Sequence, residues 1–421
     1  MTSIRGTVRV PGDKSISHRS LILAALSDGT SRISGLLRSA DVESTASVLA
    51  ELGVEIQSDD DLVTVRGRGL RGLSVPRRPL DCGNSGTTAR LMSGVLAAHP
   101  FDSVLTGDAS LSRRPMRRAT EPLGKMGAHF TLDDERDGLP LTIHGGTLAS
   151  IGWQSRNASA QIKSAILLAA LNAQVGASIT EPHRSRDHTE RMLAARGVPI
   201  VVDGDSVSMG VALSMPAMDS HVPGDPSSAA FFMALAALFP GRSIELPGVC
   251  VNPTRTGFFD VLQRMGVLVS IEDLSDAGGE PTATIRATGT DSLRAVTVGS
   301  AEMPSMIDEI PMLACLAARA DGQTVISGAG ELRVKESDRI AAVVRDLRGI
   351  GVDADERPDG MVIRGSRAPL SGTVETHGDH RLAMAFGVLG AVPGNAIDIV
   401  GPECVAVSYP AFWSDLRRVA R

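Results

Sequence analysis

Lysine is the residue this sequence most conspicuously lacks. Of 42 lysines and arginines, only Lys14, Lys125, Lys163 and Lys335 are lysine. A coding bias toward arginine accounts for the skew, and the same bias marks the places where an ammonium is kept, since the two cations are not equivalent at a site. Aromatic residues make up 3% of the chain, too few for a base-stacking platform or for membrane-interface belts. The four cysteines, Cys82, Cys250, Cys315 and Cys404, form no CxxC pair, which argues against a disulfide framework or a zinc site and fits a reducing compartment. No apolar run reaches the ~18 residues of a membrane span. The run Leu21–Leu26 is too short for a signal peptide and has no cleavage site after it. A net charge of −6 lacks the basic excess of a nucleic-acid binder. A cytoplasmic protein with no membrane or nucleic-acid partner is expected.

Repeats are abundant. At ~100–200 residues per unit, 421 residues predict two to four units. An Ala-rich apolar helix recurs six times, each copy opened by small polar residues. The openings lie at Gly12–Ser15, Cys82–Ser85, Asn157–Ala160, Gly224–Ser227, Pro304–Ile307 and His377–His380. Helices such as AILLAAL and FFMALAAL are apolar all round, the pattern of a buried helix. A second, amphipathic helix closes on glycine at Gly53, Gly127, Gly197, Gly266 and Gly351, the left-handed C-terminal cap. The sixth copy ends in the helix predicted at Pro410–Val419. The spacing of about 70 residues suits a βαβαββ motif, so two domains of three copies each are expected. The boundary is placed at Pro223–Asp225, the first strand (Thr7–Val10) is expected to cross over to the other domain, and Leu274–Pro281 reads as a surface loop.

Helix N-termini expose N–H groups and partial positive charge, and so attract anions. Lys14 and Arg19, Arg90, Lys163 and Arg381 stand within about a turn of four of the openings. Ser, Asp and Asn there serve equally as ordinary caps. With two domains facing each other, the set describes a cleft for a phosphate or carboxylate ligand. In Glu331–Arg339, ELRVKESDR, Lys335 beside Glu336 can shuttle protons or belong to a surface ion-pair cluster. Asp308 and Glu309, opening an apolar helix, read as caps or as a general base. Arg113–Arg118 is either a solvated charge run or a functional segment. The GxGxxG at Gly67–Gly72 is followed by prolines rather than a helix and is discounted. His377 and His380 have no companions that would complete a metal site.

Ten collinear motifs give the chain a family resemblance. They are PGDKSISHRS, GNSGTTAR, GDASLSRRPMRR, SAQIKSA, RDHTERM, PGDPSSAA, NPTRTG, PSMIDEIP, ELRVKESDR and GDHRLAM. Together they resemble the 5-enolpyruvylshikimate-3-phosphate (EPSP) synthases, in their class II form. The resemblance implies an α/β (α+β) fold, a two-domain inside-out α/β barrel of six βαβαββ repeats, three per domain. It implies a domain at 14–222 that binds mainly shikimate 3-phosphate. A domain at 223–421, with strand 1–13 crossing over, would complete the phosphoenolpyruvate site. The implied reaction moves the enolpyruvyl group of phosphoenolpyruvate to the 5-hydroxyl of shikimate 3-phosphate and releases phosphate, in a monomeric enzyme with no metal or organic cofactor.

Carried over by motif position, Lys14 contacts phosphoenolpyruvate and takes part in proton transfer, while Ser15 and Arg19 hold the shikimate carboxylate. Ser159 and Ala160 bind the 3-phosphate, the alanine through its backbone. Gln161 bridges the substrates and Arg186 lies along the ring. Asp308 accepts the 5-hydroxyl proton, Lys335 binds ring hydroxyls and Glu336 exchanges the C3 proton. Arg114, Arg339 and Arg381 clamp phosphoenolpyruvate. Gly86 leaves room beside it, implying competitive inhibition by glyphosate. Val407 stands where many members carry lysine, and Leu91 where many carry proline. The alternatives are the sister enzyme acting on UDP-N-acetylglucosamine, whose loop cysteine has no counterpart near Arg114, and a noncatalytic anion-binding relative.

Overall fold

Five of the six polar openings lead directly into the expected helices. These span Lys14–Ala25, Gly86–Ala97, Ala160–Ala173, Pro226–Ala237 and His380–Gly390. Asp13, Ser85, Asp225 and Asp379 cap four of them through side-chain bonds to backbone N–H groups. The opening at Pro304 behaves differently. A one-turn helix, Met303–Met306, gives way to a 3-10 turn, Ile307–Glu309, and the buried helix begins only at Ile310. All five glycines expected to close helices have positive φ, between 78° and 105°. The last helix is Phe412–Val419. The computed structural model describes residues 5–132 and 137–420.

Among the described residues, five four-stranded sheets share one strand order. In each, the outer first strand runs parallel to the second, and the second runs antiparallel to the third. The sixth copy keeps only the parallel pair Ser371–Glu375 and Ala396–Val400. Six repeats are therefore present, the last reduced.

The chain divides into two compact units. One comprises Gly12–Val222 and Asp276–Glu280, here the N-terminal unit. The other, the C-terminal unit, comprises Met1–Pro11, Pro223–Ser275 and Pro281–Arg421.

In the N-terminal unit, three sheets surround the helices Lys14–Ala25, Gly86–Ala97 and Ala160–Ala173. The sheets turn one face inward, as the alternating burial of Leu62–Arg66 and Leu141–His144 shows. Two of the helices touch at Gly94, where a Cβ would lie 2.1 Å from the carbonyl oxygen of Ala165. The strand Ser220–His221 completes the first sheet beside Thr30–Ser34.

In the C-terminal unit, the helix Pro226–Ala237 is buried along its whole length. The scarce aromatics gather on it, with Phe231, Phe232, Tyr409 and Phe412 in ring contact. The first strand is Arg5–Thr7, parallel to Ser243–Cys250, rather than Thr7–Val10. Val8 still donates to Glu245 at 2.9 Å. The next bond of a parallel ladder would need an N–H from residue 247, which is proline. Residues 1–4 of the expected crossing segment lie outside the described residues.

The surface loop expected at Leu274–Pro281 is instead a tight hairpin between strands Leu268–Ala277 and Glu280–Thr288. Its turn is Gly278–Gly279, with φ of 67° and 93°. Two consecutive positive φ values suit a two-residue hairpin turn, and the acidic, polar composition that suggested a loop belongs to an exposed strand.

Candidate active site

In the N-terminal unit the candidate residues collect at the openings of the buried helices. Lys14 forms an ion pair with Asp41, whose side chain is nearly buried. Arg19 is buried and holds three helices together. Its Nε donates to Thr189 Oγ1 at 2.7 Å, Nη1 to the Ser15 carbonyl at 2.9 Å and Nη2 to Ser164 Oγ at 2.7 Å. Burial lowers its pKa to about 10, against the pull of Glu190, which leaves it a cation at neutral pH. One residue earlier, His18 is buried with Nδ1 2.7 Å from Thr45 Oγ1, and burial lowers its pKa to about 3. It is a neutral structural histidine.

Gly86 opens the second buried helix. A Cβ there would lie 2.6 Å from Nη1 of Arg90 and 3.7 Å from Nη1 of Arg114. Arg90 donates to Gln161 Oε1 at 3.2 Å and to the Pro115 carbonyl at 3.0 Å. Gln161 in turn donates to Thr87 Oγ1 at 2.9 Å. Arg114 is held by Asn84 Oδ1 at 2.6 Å and Ser110 Oγ at 3.2 Å. Gly86, Arg114 and Gln161 are thus brought together, with Arg90 as the link. Ser159 caps the third helix by position, yet its hydroxyl makes no capping bond. Ala160 is the first helical residue, and Arg186 is half-buried just before the helix His188–Ala194.

In the C-terminal unit the five candidates form one network. The Asp308 carboxylate has Lys335 Nζ at 3.6 Å, Arg339 Nη1 at 3.5 Å and Arg381 Nη2 at 3.8 Å. Arg381 also donates to the Asp308 backbone carbonyl at 3.2 Å. Arg339 is 1% exposed and bonds Glu336 at 2.6 Å and Asp379 at 2.8 Å. Burial alone would raise the Asp379 carboxyl, but the Arg339 guanidinium outweighs it and holds the pKa below the usual value. The 3-10 turn places Asp308 ahead of the helix, where it serves neither as a side-chain cap nor as a helical residue.

Sequence reasoning missed several members. Asp41 lies far along the chain from Lys14 and belongs to no motif. In the sequence Arg90 is only a cation near a helix opening. In the sequence Asp379 is only part of a helix opening, whereas in the structure it also anchors Arg339 and accepts from Ser337 at 3.0 Å. The GDHR motif carried the signal, because an aspartate that caps a helix keeps a second oxygen for another donor.

Two helix-cored units clad in repeated sheets, with cations and carboxylates at their helix openings, define a protein of the enolpyruvyl transferase fold. The enolpyruvyl transferase NikO from Streptomyces tendae shares that fold, with a TM-score of 0.76 over 99% of this chain and 95% of that one, at 18% identity. The chain belongs to the EPSP synthase (3-phosphoshikimate 1-carboxyvinyltransferase) family, whose model matches residues 1–416. A 3-phosphoshikimate 1-carboxyvinyltransferase of Bacillus licheniformis is 47% identical over 100% of this chain and 98% of its own. One from Bacillus thuringiensis subsp. konkukian is 46% identical over 99% and 97%. The EPSP synthase structure from Acinetobacter baumannii superposes with a TM-score of 0.88 at 43% identity, covering 99% of this chain and 96% of that one. These matches do not favour the UDP-N-acetylglucosamine alternative.

Proposed function

We propose that the protein transfers the enolpyruvyl group of phosphoenolpyruvate to the 5-hydroxyl of shikimate 3-phosphate. The observation that carries this reading is the Asp308 cluster, a carboxylate among three cations with Glu336 tied to one of them, in a chain that fits the family along its whole length. Asp308 takes the proton of the 5-hydroxyl as its oxygen attacks C2 of phosphoenolpyruvate, and Glu336 gives C3 a proton in the same addition. From the tetrahedral intermediate, phosphate leaves through C–O cleavage and Glu336 takes back a C3 proton, restoring the enol ether. Lys14 contacts phosphoenolpyruvate and assists these transfers. Arg114, Arg339 and Arg381 clamp its carboxylate and phosphate. Ser15 and Arg19 hold the shikimate carboxylate, Ser159 and Ala160 the 3-phosphate, Arg186 and Lys335 the ring, and Gln161 bridges the two substrates. The N-terminal unit carries most of the shikimate 3-phosphate contacts, and neither unit carries the whole set. The reading includes a monomer working in a reducing cytoplasm, in keeping with four free cysteines.

Glyphosate competes with phosphoenolpyruvate in this reading, because Gly86 lets Arg90 keep its place near Arg114, whereas a Cβ at that position would lie 2.6 Å from Arg90 Nη1. The test is phosphate release with both substrates, followed by a glyphosate titration at fixed phosphoenolpyruvate. Release that requires both substrates is expected. No release with shikimate 3-phosphate refutes the reading, and inhibition flat to millimolar glyphosate refutes its last part.

A further inference from the structure

Among titratable clusters outside the assigned residues, the one centred on Lys163 carries furthest. Lys163 lies one turn into the helix Ala160–Ala173, and its side chain is 4% exposed. Its ammonium reaches Glu181 Oε2 at 2.8 Å, Glu190 Oε1 at 2.9 Å and the Ser185 carbonyl at 3.3 Å. Three acceptors meet the three N–H bonds of one nitrogen, an arrangement the planar fork of arginine cannot reproduce.

Glu181 extends the network to the backbone. Its Oε1 accepts the Ser159 N–H at 2.9 Å and the Ser185 hydroxyl at 2.8 Å. Its Oε2 accepts the Ser185 N–H at 3.2 Å. One carboxylate therefore joins the residue before Ala160 to the residue before Arg186. The Ser159 N–H is consumed in this, while its hydroxyl makes no capping bond. Burial pulls the Lys163 pKa down, but Glu190 and Glu181 outweigh it and the net shift is upward, so the ammonium stays charged. Removing it would leave two buried carboxylates without their counter-ion.

We propose that Lys163 is a positioning residue for shikimate 3-phosphate: acting through Glu181, it fixes the Ser159–Gln161 opening and the Ser185–Arg186 segment relative to each other. The proposal rests on the reading above that these two segments hold that substrate.

The test is Lys163→Met, assayed by the Kd of shikimate 3-phosphate without phosphoenolpyruvate and by steady-state kinetics. Kd and KM for shikimate 3-phosphate should rise roughly 10- to 100-fold, because a misplaced binding group is costly. KM for phosphoenolpyruvate should stay within about threefold, the split that separates a local from a general defect. Lys163→Arg, which keeps the charge and loses the three-way geometry, should fall between the two. Ser185→Ala removes the hydroxyl shared between the two Glu181 oxygens and should show the same split in smaller size, so the proposal stays testable if Lys163→Met does not fold. Equal rises in both KM values, a fall in kcat alone or a change in Tm alone would overturn it. Ser159→Ala separates the two levels. If it weakens shikimate 3-phosphate binding and Lys163→Met does not, the positioning role falls alone. If Ser159→Ala leaves binding unchanged, the substrate assignment falls and the proposal with it.

Discussion

Glu336 and Arg339 illustrate how much one short motif can hold. They stand three residues apart, and the same guanidinium that bonds Glu336 at 2.6 Å also bonds Asp379 at 2.8 Å. The Glu336 side chain is only partly buried, so it can reach a ligand while Arg339 orients it. Glu336→Gln keeps the shape and removes the base. Turnover should drop by roughly 10²–10⁴-fold, the usual worth of a general acid–base group. The Kd of shikimate 3-phosphate should hardly move. Near-normal kcat would reject the proton-transfer role, and equally weakened binding would make Glu336 a structural anchor. Residues of this kind were legible because Lys335, Glu336 and Arg339 sit together in sequence. Asp41 and Glu181 were not, since a carboxylate that meets its lysine through tertiary packing leaves no local pattern.

Helices were legible where a cap, an apolar body and a closing glycine agreed. The fifth opening failed because Pro304 and Pro311 both favour helix starts, and the chain uses both, with a 3-10 turn between them. What the periodicity could not reveal is how closely the buried helices approach. Gly94 decides that point, with no room for a Cβ against the Ala165 carbonyl. A helix-interior glycine normally costs about 0.5–1 kcal/mol relative to alanine. Gly124, in the helix Arg117–Lys125, has open space around its Cβ position. Gly124→Ala should therefore stabilise the protein by about that amount. Gly94→Ala should destabilise it by about 1–3 kcal/mol, because overpacking outweighs propensity. Urea midpoints of the two variants check this, and a rise in both would show that the helix contact is softer than it looks.

Across the whole molecule, the repeat count was legible because each copy restates the same helix signals. Strand partners were harder, since short strands such as Ser220–His221 and Leu80–Asp81 carry no periodic pattern. The first strand also pairs outside the unit that follows it, which composition cannot disclose. Arg5–Thr7 pairs with the strand Ser243–Cys250 in the C-terminal unit, whereas Ser220–His221 fills the equivalent edge of the first sheet of the N-terminal unit. Val8 is fully buried in the C-terminal core, and Arg418 donates to the Thr7 carbonyl at 3.0 Å. A variant beginning at Arg9 should therefore lose a sheet edge and a core residue from one unit only. Burying a valine is worth about 1.5–3 kcal/mol, so the loss should be measurable without unfolding the chain. Amide hydrogen exchange should show faster exchange in Ser243–Cys250 and Phe412–Val419, with Thr30–Ser34 unchanged. Equal loss of protection in both regions would mean that the N-terminal strand stabilises the whole molecule rather than the unit in which it pairs.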